Sequence, residues 1–358
     1  MQFLFKTHYN DDIRFLAKTG EKVRVALVVA LLLAAPLLLQ DYYLAELGLL
    51  LVYAIAGIGL MILTGHTGQV SFGHAAFLGI GAYSHSILMA HGVPFSLSIV
   101  LTILLAGLIG MAIGRSASKM HGFYLAIATL AFGILIETVF GEWTGLTGGH
   151  SGLAVPAMKL FGMPLAEIWQ QYYVDLIFAL VVVWGASNLF RSPTGRSFVA
   201  VRDSELSARC LGVNVEWVKI QAFGVSAAIT GLAGALLAHQ LTYLVPDVFG
   251  VLESLKLLLM IVVGGLGSIL GAIFGAIFIS VLPVALSFLK DILPPSIGQQ
   301  AGLEPLLFGS IIVFVIVFEP QGIYGRWMKL RFFFESFPYY RKSSFVRQKT
   351  YLKTERMR

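Results

Sequence analysis

Tyr43–Leu63 reads YLAELGLLLVYAIAGIGLMIL, with Glu46 as its one charge. A helix needs about 20 apolar residues to cross the hydrocarbon of a bilayer, and this run has that length. The residues that follow do not continue the pattern. Thr64–Tyr83 reads TGHTGQVSFGHAAFLGIGAY, in which Gly65, Gly68, Gly73, Gly79 and Gly81 are too dense for ordinary helix. His66, Gln69, Ser71 and His74 in the same stretch would be costly against lipid. Broken backbone at membrane depth is tolerated only where it is buried in protein or lines a wet cavity. Two readings follow for Gln69, Ser71, Phe72 and His74: a pathway or gate, or a packing joint between closely approaching helices.

Working outward with the same ruler gives further spans. They are Val23–Leu39, Ala75–Ala90, Phe95–Gly114, Phe123–Phe140, Tyr173–Phe190, Ile220–His239, a short Leu257–Val263, Ile269–Leu289 and Leu306–Phe318. The expectation is an all-α polytopic membrane protein of nine to ten transmembrane helices with broken or re-entrant Gly-rich segments. Composition agrees: 57% of the 358 residues are hydrophobic and 12% charged, against about 25% charged in soluble domains. The mean hydropathy is +0.83. Such a chain lacks the polar surface to face water on all sides.

Charge orients it. Arg115 and Lys119 sit in one link and Arg191, Arg196, Arg202 and Arg209 in another; Asp41, Glu142, Glu167, Asp247 and Glu253 sit in links of the opposite parity. Lys and Arg collect in cytoplasmic loops, so both termini are expected in the cytoplasm. The net charge of +6 is concentrated in a tail: Arg326–Arg358 holds ten Lys/Arg and two Glu, leaving about −2 for the rest. A basic tail after a membrane span reads as a topology anchor near anionic lipid rather than a nucleic-acid site. The chain divides into a cytoplasmic N-terminal segment (1–22), a membrane domain (23–325) containing a cytoplasmic loop (191–219), and the tail (326–358).

No soluble catalytic unit is visible. There is no G-x-x-x-x-G-K-[ST] for nucleotide, no H-E-x-x-H, no G-x-S-x-G and no paired-cysteine motif, Cys210 being the single cysteine. No catalytic residue, metal site or nucleic-acid partner is expected.

Three more stretches stand out. Thr144–Leu153 (TGLTGGHSGL) is a turn-rich loop after Glu137, either a lid over a pathway or a surface loop. Gly264, Gly267, Gly271 and Gly275 recur at spacings of three and four, which suits one small-residue helix face packing closely. In the loop Arg191–Asn214, Asp203 is a candidate N-cap and Gly212 a candidate C′ residue, with Ser204–Leu211 a short helix between them. Leu206, Ala208 and Leu211 could seat in a partner's groove, with Glu205 and Arg209 at its rim.

The stretches TGHTGQVSFGHAAFLGIGAY, TGGHSGL, RSPTGRSFVAVRDSELSARCLGVNV, GGLGSILGA and FEPQGI, in this order over Tyr43–Gly325, resemble the permeases of branched-chain amino acid ABC importers, the LivM type in particular. The chain departs from that pattern at His66, at His150-Ser151 and in the lack of an E-A-A triplet at Glu205. The resemblance implies a multi-pass subunit of a bacterial cytoplasmic (inner) membrane. It implies four kinds of partner: a second homologous permease, two cytoplasmic ABC ATPases that bind the ATP and Mg, a solute-binding protein and the lipid bilayer. It also implies a coupling helix at Ser204–Leu211, with Asp203, Glu205, Leu206, Ala208, Arg209 and Gly212 as ATPase-coupling residues. Gln69–His74 would border the translocation path and Thr147, Gly148 and Gly149 its outer side. No cofactor is expected on this chain. The solute would be a branched-chain amino acid or another small polar or carboxylate compound, with urea, short amides and aromatic acids as alternatives. An ion-coupled secondary transporter is the reading from another class.

Overall fold

The computed structural model describes residues 19–120, 122–160, 163–165, 167–292 and 322–336, with positions 306, 309, 310, 313 and 317. His121, most of the expected span Leu306–Phe318, most of FEPQGI, residues 1–18 and the tail beyond 336 lie outside the described residues.

The helices are α1 Thr19–Leu38, α2 Asp41–Met61, α3 His74–Ala90, α4 Phe95–Ala117, α5 Phe123–Glu142, the single turn α6 Thr144–Thr147, and α7 Ile168–Arg191. They continue as α8 Pro193–Asp203, α9 Glu205–Cys210, α10 Val215–Leu241, α11 Val251–Gly264, α12 Ile269–Ile292 and α13 Gly322–Ser336. Among the described residues, five helices are long and apolar enough to cross a membrane: Asp41–His66, Phe95–Ala117, Phe123–Glu142, Ile168–Arg191 and Val215–Leu241. The protein is a multi-pass, all-α membrane protein. Strand is confined to two-residue pieces, β1 Leu153–Ala154, β2 Lys159–Leu160, β3 Met163–Pro164 and β4 Tyr243–Leu244, with β1 antiparallel to β4 and β2 to β3.

Two helices begin earlier than hydropathy predicts, because polar caps extend them. Asn214 accepts from the Trp217 amide at 3.1 Å and starts α10 at Val215. Glu167 and Gln170 form a reciprocal capping box that starts α7 at Ile168.

The central element is α10, against which α4, α3 and α2 pack. Lipid tails are as apolar as Leu, so close backbone approach rather than the hydrophobic effect holds such helices together. The small residues supply it. A Cβ on Gly234 would lie 1.9 Å from the Leu78 carbonyl oxygen of α3, and one on Gly81 would lie 2.1 Å from that of Gly231. The opposite faces carry exposed apolar stripes: Leu97, Leu101, Leu104 and Leu108 on α4, and Ile177, Val181 and Trp184 on α7. At spacings of three and four, these are the faces a bilayer solvates.

Helix α1 contains Pro36, whose missing N–H leaves the Leu32 carbonyl without its ordinary helical donor. The Tyr172 hydroxyl of α7 donates to that carbonyl at 2.8 Å, and Tyr173 donates to Leu33 at 3.0 Å. One α7 edge therefore fastens α1.

The third Gly stretch forms a hairpin rather than one helix face. Gly264 ends α11, Gly267 lies in the turn with φ +83°, and Gly271 and Gly275 belong to α12. Close packing is its function: a Cβ on Gly275 would sit 2.0 Å from the Met260 carbonyl oxygen, and one on Gly264 would sit 2.0 Å from that of Gly271.

Candidate functional site

Helix α2 does not end cleanly. It passes into a π-helical turn, Ile62–His66, a form that appears at functional hinges. Thr67 Oγ1 then donates to the Leu63 carbonyl, the Gln69 amide donates to the same carbonyl at 3.2 Å, and Thr64 Oγ1 donates to the Gln69 carbonyl at 3.1 Å. Gly68 takes φ +70°, and the chain runs unhelically to Gly73. Along it burial alternates: Gly68 and Val70 are exposed and Phe72 is half-buried, while Gln69 and Ser71 are buried. A period of two is that of extended backbone, so alternate residues face opposite ways. Of the four path residues expected here, Phe72 has an outward part, and Gln69, Ser71 and His74 face inward. Val70, which sequence reasoning missed, faces out with Phe72.

Side chains from distant helices pin this segment. Thr129 Oγ1 of α5 accepts from the Phe72 amide at 3.0 Å, and Ser254 Oγ of α11 accepts from the Ala75 amide at 3.0 Å. Gly73 is required by contact, since a Cβ there would lie 1.9 Å from the Thr129 carbonyl oxygen. Ser226 donates its hydroxyl proton to the Gly59 carbonyl at 2.6 Å, so it accepts from His74 Nε2 at 3.1 Å. Thr230 Oγ1 lies 2.9 Å from the same nitrogen. This network assigns His74 as the Nε2–H tautomer and leaves Nδ1 with a bare lone pair. His74 Nδ1, both polar atoms of the Gln69 amide and Ser71 Oγ are buried without a partner among the described residues. Buried polar groups are normally satisfied, so four uncommitted atoms on one broken segment mark a place able to receive a polar occupant or to rearrange.

The loop after α5 folds on itself. Thr147 is buried, donates towards the Phe140 and Trp143 carbonyls at 2.7 and 2.8 Å, and accepts from the Gly149 amide at 3.2 Å. Gly148 and Gly149 have φ +76° and +61°, and a Cβ on Gly148 would meet the Gly152 carbonyl oxygen at 2.2 Å. The exposed side chains of this turn include Thr144, Leu146, His150 and Ser151. Pairing of β1 with β4, and the Tyr243 hydroxyl donating to the Ser151 carbonyl, tie the loop to the end of α10.

At the basic end, the short helix α9 runs Glu205–Cys210, not Ser204–Leu211. Its N-cap is Ser204, whose side chain accepts from the Ser207 amide at 3.2 Å. Asp203 instead closes α8, its carboxylate 3.0 Å from Arg202 Nη2. The C-terminal expectation matches: Gly212 has φ +84°, with Val213 N–H to the Ala208 carbonyl and Gly212 N–H to the Arg209 carbonyl, both at 3.0 Å. That pair of bonds is a Schellman motif. Ala208, expected to face a partner, is 1% exposed and packs inward; Leu206 at 76% and Leu211 at 83% face out, with Arg209 and Cys210 beside them. Glu205 is not a free rim charge. Its Oε1 lies 2.7 Å from Nζ of Lys219, a buried residue at the start of α10.

Sequence reasoning also missed polar residues within the apolar runs. Asp175 of α7 is 2% exposed and accepts from Gln240 Nε2 of α10 at 2.7 Å. His85 and His239 are buried with their Nε2 atoms 3.0 Å apart, and Ser98 Oγ lies 2.8 Å from His85 Nδ1. An Asp inside an otherwise apolar run was the available signal for the first. Among the described residues, no three His, Cys, Asp or Glu side chains gather as metal ligands.

Residues 42–317 match the family described as "Branched-chain amino acid transport system / permease component". The chain belongs to that permease family. The permease is 28% identical to the high-affinity branched-chain amino acid transport system permease protein LivM of Escherichia coli K12, over 85% of this chain and 75% of that one. It is 23% identical to a probable branched-chain amino acid transport permease protein LivM of Methanocaldococcus jannaschii, over 63% and 68%. It is also 27% identical to the autoinducer 2 import system permease protein LsrC of Escherichia coli O9:H4, over 70% and 72%. No solved structure matches the permease.

Proposed function

We propose that this permease is the membrane-spanning subunit of an ATP-binding cassette importer for branched-chain amino acids or a related small polar or carboxylate solute. The observation that carries this reading is α9. It is a short helix capped at both ends, tethered through Glu205 to the buried Lys219, and it presents Leu206 and Leu211 to a partner. A rigid, apolar-tipped projection between two long helices has the form of a lever for a docked subunit. In this reading two cytoplasmic ATPases bind ATP and Mg and receive Leu206, Leu211 and Arg209. Asp203, Glu205, Ala208 and Gly212 shape and hold the lever. A second homologous permease completes the path, and a solute-binding protein delivers the solute to the Thr147–Gly149 end. Gln69, Ser71 and His74 line the break from inside, with Phe72 and Val70 at its outward surface. The chain crosses a bacterial cytoplasmic membrane nine or ten times, with both termini and the 191–219 loop in the cytoplasm. Relatives named for a branched-chain amino acid system and for autoinducer 2 import support an importer and leave urea, short amides and aromatic acids as alternative solutes.

A second reading, ion-coupled secondary transport, is favoured by the buried Asp175, a protonatable group with an amide rather than a cation as partner. Reconstitution separates the two. The permease co-expressed with its genomic neighbours should retain ATPases through purification and should import labelled leucine into proteoliposomes only with ATP on the α9 side. Uptake by the chain alone, driven by a proton or sodium gradient, would overturn the importer reading.

A further inference from the structure

Three segments distant in sequence converge at the end of α2. The first is the π turn ending at His66, the second is the α11–α12 hairpin turn at Gly267, and the third is the last turn of α8, immediately before the lever helix α9. Their backbones approach closely: a Cβ on Gly65 would lie 2.7 Å from the Gly267 amide nitrogen. Arg202 of α8 reaches into this junction. Its Nη1 donates to the Gly65 carbonyl at 3.0 Å, while Nε and Nη2 hold Asp203 Oδ1 at 3.1 and 3.0 Å. The stem of Arg202 lies over Gly68, where a Cβ would meet Arg202 Cγ at 3.1 Å.

The chemistry of this contact is specific. Gly65 belongs to the last turn of a long helix, whose final carbonyls lack helical donors and carry the negative end of the dipole. A guanidinium is the side chain best suited to them, because its planar fork can hold a carbonyl and a carboxylate at once. Three residues beyond Gly65 the chain turns left-handed at Gly68 and enters the broken segment bearing Gln69–His74. Two residues beyond Arg202, Ser204 caps α9. The Arg202–Gly65 bond is therefore a direct polar connection between the lever and the break, across 137 positions of sequence.

We propose that Arg202 is the positioning residue that transmits movement of the α8–α9 unit to the broken segment at Gly65–Gly73. The proposal rests on the importer reading above and adds the route by which a docked subunit reaches the path. When α9 is displaced, the guanidinium pulls on the C-terminal carbonyl of α2. The π turn, already off α-helical register, absorbs the displacement and re-aims Val70 and Phe72. A static C-cap would contribute only stability, and the two roles separate in the ratio of solute moved to ATP consumed.

The test uses the whole complex, co-expressed and reconstituted, with Arg202→Gln and Arg202→Lys. Arg202→Gln is expected to retain the ATPases and their hydrolysis rate while uptake per ATP falls by about tenfold or more, the scale of one charge-assisted hydrogen bond. Arg202→Lys keeps one donor for Gly65 but cannot also hold Asp203, so its ratio should fall between Gln and Arg. A wild-type ratio in Arg202→Gln overturns the proposal, and so does loss of the ATPases from that variant, which would make Arg202 a docking residue. If Arg202→Gln does not accumulate in the membrane, Arg202→Lys decides, and a wild-type ratio there overturns it equally. A wild-type complex that holds no ATPase fails at the importer reading instead.

Discussion

Lys219 Nζ lies 2.7 Å from Glu205 Oε1, and the two ends of this pair sit in different surroundings: the lysine side chain is 2% exposed and the glutamate 33%. Removing one partner of a buried pair strands the other, so the cost depends on which charge is left inside. Glu205→Gln leaves a buried ammonium whose other oxygen contact is the Ser118 carbonyl at 3.5 Å. Lys219→Met leaves a carboxylate that water can reach. We expect Glu205→Gln to destabilise by about 1–3 kcal/mol and Lys219→Met to cost less. Thermal unfolding of the purified protein in one detergent gives the order directly, and the reverse order would refute this account of the pair.

Leu206 and Leu211 are the outward apolar residues of the lever. Leu206→Asp combined with Leu211→Asp removes no internal packing and should leave stability within about 0.5 kcal/mol of wild type. Retention of the ATPases in pull-down should fall by about tenfold or more. Normal retention would rule out this face as the docking surface. Ala208→Asp is a poor probe of docking by comparison, since it buries a charge and would unfold α9.

Tyr172 and Pro36 should be energetically coupled. Tyr172→Phe is expected to cost about 1 kcal/mol, because the Leu32 carbonyl freed by Pro36 then has no donor. Pro36→Ala restores a backbone N–H for that carbonyl, so Tyr172→Phe should cost less in that background. A double-mutant cycle on unfolding free energies reads the difference, and additive effects would contradict the orphan-carbonyl argument.

Gly234 and Gly185 make a matched contrast within helices. A Cβ on Gly234 meets the Leu78 carbonyl oxygen at 1.9 Å, whereas Gly185 has nothing within 4 Å. Gly234→Ala should destabilise by about 1–3 kcal/mol through overpacking of α10 on α3. Gly185→Ala should be neutral or stabilising by up to about 1 kcal/mol. Comparable melting shifts for both would show that backbone approach is not what holds α10.

Asp175→Asn tests the rival energy source. Asparagine retains an oxygen for the Gln240 amide, so the contact at 2.7 Å survives the change while the ionisable group is lost. ATP-driven uptake should persist in this variant. Abolished uptake with an intact fold would support ion coupling through Asp175.

Much of the helical frame was legible in the apolar runs. Phe95–Gly114 and Phe123–Phe140, read from hydropathy, correspond to helices Phe95–Ala117 and Phe123–Glu142. The capping details were less so. Asp203 and Ser204 are both N-cap residue types, and the choice between them was made by Arg202, which occupies the Asp203 carboxylate and leaves Ser204 to cap α9. The candidate path was legible as a Gly-rich break but not in its facing. Nothing local states that Gln69 and Ser71 turn inward while Val70 turns outward.

What the sequence alone determined is that this chain lives in a bilayer, where the apolar centres of its described spanning helices lie, and that the chain breaks after Thr64. Those are local properties, set by apolar length, charge and glycine density. The break ends at Gly73, since Gly79 and Gly81, read as too dense for helix, lie inside α3. Only the tertiary structure decided which polar residues meet: Arg202 with Gly65, Lys219 with Glu205, Asp175 with Gln240, His74 with Ser226 and Thr230. Such pairings join positions far apart in the chain. They depend on which helix faces small residues allow to approach, and hydropathy along a single helix carries no record of that choice.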